Sequence, residues 1–118
     1  MPNVTSWEKI ETEKLNEQIS RKMIFGEKAM LARIALAKGA VVPRHSHVNE
    51  QITWILSGAL KLSFDDGDRV VRGGEMLLIP SNVPHSAVAL EDTIDIDIFG
   101  PPREDWIKKT DAYLRGQK

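Results

Sequence analysis

Along much of the chain, apolar and polar positions alternate with a period of two. The clearest case is TIDIDIF, residues 93–99, where Ile94, Ile96 and Ile98 take one parity and Asp95, Asp97 and Phe99 the other. QITWILS (51–57) and ALKLSF (59–64) read as strands on either side of Gly58, and the Asp-Gly pair in FDDGDRVV marks a hairpin. Gly and Pro recur from residue 26 to residue 102, so few segments between 20 and 100 run long without a turn signal, which is the mark of a sandwich or barrel. GEKAMLARIALAKG (26–39) is rich in helix formers, yet Met30, Ala32, Ile34 and Leu36 alternate, and the pattern predicts a strand. EDWIKKTDAYLR (104–115) predicts a short surface helix, and SWEKIETEK (6–14) a single turn. Trp54 alternates with Ile52 and Leu56 opposite Gln51, which predicts burial against another layer; Trp7 and Trp106 read as packing residues, and Met23, Met30 and Met76 as core fillers. The expected architecture is all-β, one domain over residues 1–118, with a C-terminal helix.

Composition narrows the partners. Sixteen Lys and Arg against seventeen Asp and Glu give a net charge of −1, so no global field draws in nucleic acid or an anionic membrane. The absence of cysteine excludes disulfides and thiolate metal sites. No stretch approaches the roughly 20 apolar residues of a membrane helix, and MPNVTSWEK lacks the build of a signal peptide. The expectation is a soluble cytoplasmic protein.

Candidate chemistry sits on the three histidines. His45 and His47 are two apart, and on a strand such residues share a face and can offer both imidazoles to one ion. His85 follows GGEMLLIPSNVPH, whose glycines and prolines frame a tight turn. A lone histidine is more often an ordinary polar residue, so spacing must carry the case. Glu50 and Gln51 compete as the next ligand. In an extended chain Gln51 shares the parity of His45 and His47 while Glu50 takes the other face, although a turn at VNE would weaken that parity.

The spacing resembles a known family. Gly39, five residues, His45, one, His47, three, Gln51, six, Gly58 is similar to the first cupin motif, with Gln where Glu is commoner. Gly74, five residues, Pro80, then Asn82 and His85 resembles the second, with Asn82 in place of the usual Gly and Ala89 in place of the usual Asn. Asn82 is tolerable because Asn also accepts a left-handed backbone. With DIFGPPREDW (97–106), the likeness to small cupins related to the pectin-degradation protein KdgF extends over about residues 37–107. It implies a jelly-roll cupin barrel and one divalent metal held by His45, His47, Gln51 and His85. It also implies a cavity using Asp97, Phe99 and Arg103, and conversion of ring-form 4,5-unsaturated uronates to the linear keto sugar.

Three neutral imidazoles and a neutral amide would leave a divalent ion its full charge, and nitrogen and oxygen donors suit Mn, Fe, Co, Ni or Zn. Asp97 has two readings. Composition buries the Ile parity of TIDIDIF and leaves the aspartates in water, whereas the resemblance turns Asp97 and Phe99 into the cavity. Arg103 would be the bidentate clamp for a substrate carboxylate, with Arg33, Arg44 and Lys61 weaker candidates. Ile residues turned outward would need a cover, and a homodimer is the expected one. Two other functions stay open: another metal-dependent cupin (dioxygenase, lyase or isomerase), or a non-catalytic sugar- or metabolite-binding cupin.

Overall fold

The computed structural model describes residues 2–115, which form ten strands and one short helix. The strands are β1 (Glu13–Lys14), β2 (Ile19–Phe25), β3 (Met30–Leu36), β4 (Val41–His45), β5 (Glu50–Ser57), β6 (Ala59–Phe64), β7 (Gly67–Arg72), β8 (Met76–Ile79), β9 (His85–Ala89) and β10 (Thr93–Gly100), and the helix is α1 (Glu104–Ile107). Two antiparallel sheets face each other, one in the order β1-β2-β3-β10-β5-β8 and the other β4-β9-β6-β7. A single helical turn at Trp7–Lys9 agrees with the N-terminal expectation.

The helix-forming composition of residues 26–39 loses to pattern. Met30, Ala32, Ile34 and Leu36 are all buried on the inner face of β3, and their neighbours pair β3 with β2 on one side and β10 on the other. Core burial of one parity outweighs intrinsic propensities worth about half a kcal/mol per residue.

β5 and β6 flank Gly58 but belong to different sheets, so this glycine carries the chain from one layer to the other. Its φ of +90° favours glycine, and a Cβ there would run into the backbone of Asp92 and Thr93. Asn82, at φ +64°, adopts the left-handed backbone expected of it. The Asp-Gly hairpin is present one residue earlier than the pattern suggests: Phe64 pairs with Gly67, and Asp65–Asp66 form the turn.

Three expectations need correction. Trp54 is not buried against another layer; it stands 40% exposed on the outer face of the larger sheet. Met76 is no core filler, because it lies across from Trp54 on that same outer face and is 66% exposed. The C-terminal helix stops at Ile107, after one turn, and is not a surface element throughout. Lys109 takes a left-handed φ of +58°, and the chain then turns back onto the barrel, burying Asp111 and Leu114. Buried charge holds it there. Arg21 Nη1 donates to Asp111 Oδ2 at 2.7 Å with both side chains fully buried, Arg115 Nε donates to Asp111 Oδ1 at 2.9 Å, and Asn16 Nδ2 donates to the Leu114 carbonyl at 2.9 Å. Period-3.6 reasoning sees none of this, because the anchors lie about ninety residues away in sequence.

Candidate metal centre

The two sheets bring the histidines together. His45 ends β4 and His85 begins β9, and the two are direct cross-strand partners with ring centroids 4.4 Å apart. His47 reaches them differently from the expectation. β4 stops at His45, so His47 lies in the loop 46–49 and strand parity does not place it. Asn49 fixes that loop: it is buried and donates to the carbonyls of Pro101 and Pro102, while its own carbonyl meets His47 Nδ1 at 3.0 Å. Gln51 comes from β5 in the opposite sheet, buried, and Glu50 beside it is exposed.

The ring nitrogens are sorted by their partners. Nδ1 of His45, His47 and His85 faces the carbonyl of Pro43, Asn49 and Val83 respectively, at 2.8, 3.0 and 2.8 Å. A neutral imidazole that donates from Nδ1 leaves Nε2 as a bare acceptor, the tautomer a metal takes. The three histidines can offer ligand atoms that all lie within 4.8 Å of one another. Gln51 strengthens the case. Its amide nitrogen donates to Thr53 Oγ1 at 2.8 Å, which leaves Oε1 3.1 Å from His47 Nε2. With Nδ1 holding the imidazole proton, two lone-pair acceptors face each other, and a cation between them satisfies both. The residues present therefore fit a divalent ion bound by nitrogen and oxygen.

Electrostatics points the same way. Burial lowers the pKa of His45 and of His47 to about 4, and lowers that of His85 as well; the Arg103 guanidinium adds to the effect at all three. At pH 5.5 a free histidine near 6.5 is mostly protonated, whereas these two are already neutral. Metal uptake at pH 5.5 should therefore release almost no proton from His45 or His47. Calorimetric titration with metal in two buffers of different ionisation enthalpy measures this, and release approaching one proton per imidazole would contradict it.

Behind Gln51 runs a polar chain. Thr53 Oγ1 donates to Asp97 Oδ1 at 2.9 Å, and the Asp95 carboxyl lies against Asp97. Strand register explains the placement: in β10, Asp97 stands opposite Thr53, and Phe99 opposite Gln51. Asp95, Asp97 and Phe99 thus face inward, while Ile98 faces out at 37% exposure, so the parity of TIDIDIF resolves against the composition reading. Burial raises the pKa of both carboxyls, Asp95 the further, with the Asp97 charge as its second cause. Both line a cavity of about 50 Å³ together with His45, Gln51, His85, Phe99 and Arg103.

Arg103 is nearly fully buried and already engaged. Its Nε and Nη2 donate to Asp105 at 2.9 and 2.8 Å, and Nη2 also donates to the Tyr113 hydroxyl at 2.6 Å. Its guanidinium lies 5.2 Å from the Phe99 ring and 4.7 Å from that of Trp106. The weaker candidates are elsewhere: Arg44 pairs with Asp65 on the surface, and neither Arg33 nor Lys61 lines the cavity. Two cavity residues escaped sequence reasoning. Asp95 shares the parity of Asp97, a signal that was available. Tyr113, stacked on His45 at 4.7 Å, gave none, because a tail segment reveals its contacts only once folded.

The family profile described as a cupin domain matches residues 32–98. The chain belongs to the cupin family. Among solved structures, this cupin is similar to KdgF from Halomonas sp., with 28% identity, 84% of this chain and 94% of that one covered, and a TM-score of 0.78. It is likewise similar to an RmlC-like cupin from Shewanella frigidimarina, with 29% identity, 90% and 96% coverage, and a TM-score of 0.83. Among curated proteins, the 3-hydroxyanthranilate 3,4-dioxygenase of Neurospora crassa is 35% identical over 78 residues, 61% of this chain but 43% of that protein. The cupin thus spans less than half the length of this curated relative. The two sheets described above form the jelly roll of the family, and the histidine cluster suits metal binding.

Proposed function

We propose that this cupin is a divalent-metal enzyme acting on a small sugar acid, and that it converts a 4,5-unsaturated uronate to its linear keto form. His45, His47, Gln51 and His85 hold the metal, and Asp97, Arg103 and Phe99 form the substrate side. The observation that carries this reading is the cluster of His45, His47 and His85, whose ligand atoms can lie within 4.8 Å of one another, with Gln51 Oε1 3.1 Å from His47 Nε2, next to the cavity that His45, Gln51, His85, Asp97 and Arg103 line. The likeness to KdgF from Halomonas sp. supports the substrate class.

A bound divalent ion would supply Lewis acidity towards a hydroxyl or carbonyl oxygen. The chain's own residues do the rest. Asp97 takes the proton of the anomeric hydroxyl as the ring C–O bond breaks, and a proton returns from it to the enol carbon as the keto form appears. The change is an isomerisation, so protons balance. A carboxyl lifted by burial suits both halves of that transfer. Phe99, against His47 and Trp106, offers a flat apolar wall to the sugar ring. Arg103 binds the carboxylate, so Arg103→Ala should raise KM about tenfold or more with a smaller change in kcat, the signature of lost binding. The direct test is turnover of unsaturated galacturonate and related uronates by metal-loaded protein, followed by loss of the ring-form absorbance. No turnover of any of them counts against the reading.

A second reading has its own support in the Neurospora crassa relative: an oxygenase on a small aromatic acid. Oxygen uptake by iron-loaded protein with 3-hydroxyanthranilate would favour it.

The protein is proposed to act as a cytoplasmic homodimer, with residues 1–118 as one domain. On the outer face of the larger sheet, Ile98, Ile52 and Leu78 lie side by side in register, as do Ile96, Trp54 and Met76. Trp54, Leu56, Met76, Leu78 and Ile98 are each exposed, a patch that a second copy would cover. Sedimentation at micromolar concentration should give twice the chain mass, and a strict monomer would count against the dimer.

A further inference from the structure

The cavity beside the histidines is too small for the ligand its residues would bind. About 50 Å³ holds a few waters, against roughly 300 Å³ or more for an ordinary small-molecule site. What fills the missing space is the C-terminal segment. Tyr113 lies flat on His45, with the rings 4.7 Å apart and 29° from parallel, and its hydroxyl accepts from Arg103 Nη2 at 2.6 Å.

Asp105 takes the Nε edge of the Arg103 guanidinium through both carboxylate oxygens, which orients the group without closing it off. On the cavity side the acceptor is the neutral phenol. A carboxylate is the better partner for a guanidinium, because both its charge and its forked geometry match. The neighbouring groove bordering His47 offers no alternative, since it is lined by Glu27, Glu104 and Asp105 and would repel an anion.

We propose that Tyr113 is a placeholder in the carboxylate subsite of this cupin: it holds Arg103 in the closed state and is displaced by the carboxylate of an incoming small acid. The idea rests on the reading that Arg103 receives that carboxylate. The segment has the means to yield. Its anchors, Asp111 on Arg21 and the Leu114 carbonyl on Asn16, flank Tyr113 and do not involve its side chain. Tyr113 itself is only half-buried, so rotation of its side chain brings the ring to solvent while the anchors stay in place. Selectivity follows, because only a ligand that offers Arg103 an anionic acceptor repays the lost contact, and a neutral sugar does not.

Tyr113 is the chain's single tyrosine, so 3-fluorotyrosine labelling gives one ¹⁹F resonance to follow. In zinc-loaded protein, D-galacturonate should move that resonance towards its position in Arg103→Ala, and D-galactose should leave it in place. Tyr113→Ala should bind galacturonate about tenfold more tightly, the worth of one hydrogen bond to a charged group. The proposal is overturned if calorimetry shows galacturonate bound while the resonance stays put, or if Tyr113→Ala binds it more weakly. It is equally overturned if neither wild type nor Tyr113→Ala binds galacturonate. Uronate turnover by the wild type is scored separately. Displacement without turnover keeps the placeholder and removes the reaction, and turnover without displacement does the reverse.

Discussion

Asp97→Asn should lower uronate turnover by roughly a hundredfold or more, the usual contribution of a positioned general acid/base, with metal content unchanged. The substitution is close to isosteric, and an Asn oxygen can still accept from Thr53, so the Gln51–Thr53–97 chain survives and the ligand set keeps its orientation. What disappears is the proton carrier. Asp95 makes the experiment more informative, because its buried Oδ1 has no hydrogen-bond partner and its carboxyl lies against Asp97. A buried acid in that position is a second place for a proton. If Asp97→Asn keeps full turnover on an authentic substrate, Asp97 is not the carrier, and the proton moves through another group.

His85→Ala, and separately His47→Ala, should abolish stoichiometric metal, measured by elemental analysis of purified protein. Losing even an outer partner of a metal-bound histidine costs roughly 10–100-fold in affinity, and a lost ligand costs more. His85 is the sharper probe. It is buried, directly opposite His45, and its Nδ1 is fixed by the Val83 carbonyl, so no neighbour can take its place. Glu50→Ala is the control. Glu50 is exposed at the start of β5 and should leave metal content within error of wild type. Loss of metal in Glu50→Ala together with retention in Gln51→Ala would show that the wrong member of the pair was assigned.

Much of this could be read from spacing. Turn glycines set the strand lengths, the motif spacing singled out His45, His47, Gln51 and His85, and Asn82 took the left-handed backbone that its position requires. The reasons were not always those that operate. Parity was expected to align His45 with His47, but the chain leaves β4 between them, and a buried Asn49 on Pro101 and Pro102 orients the second imidazole. Burial misled at Trp54 and Met76, because an apolar strand face looks the same in sequence whether it packs inside the barrel or stands on its outer surface.

The period-two strands, their turns and the residue types able to hold a metal are legible in the bare chain, because these depend on neighbours a few positions apart. Which parity of TIDIDIF faces the cavity is set by the folded barrel. The choice between burying isoleucines and burying aspartates is made by pairing β10 between β3 and β5, where Thr53 of β5 donates to the Asp97 carboxyl. The folded barrel also sets that the C-terminal segment leaves its helix after Ile107 and lays Tyr113 on His45, since the buried Arg21–Asp111 pair that fixes the fold-back joins residues ninety positions apart. Local pattern carries no information about contacts at that separation, which exist only once the barrel has closed.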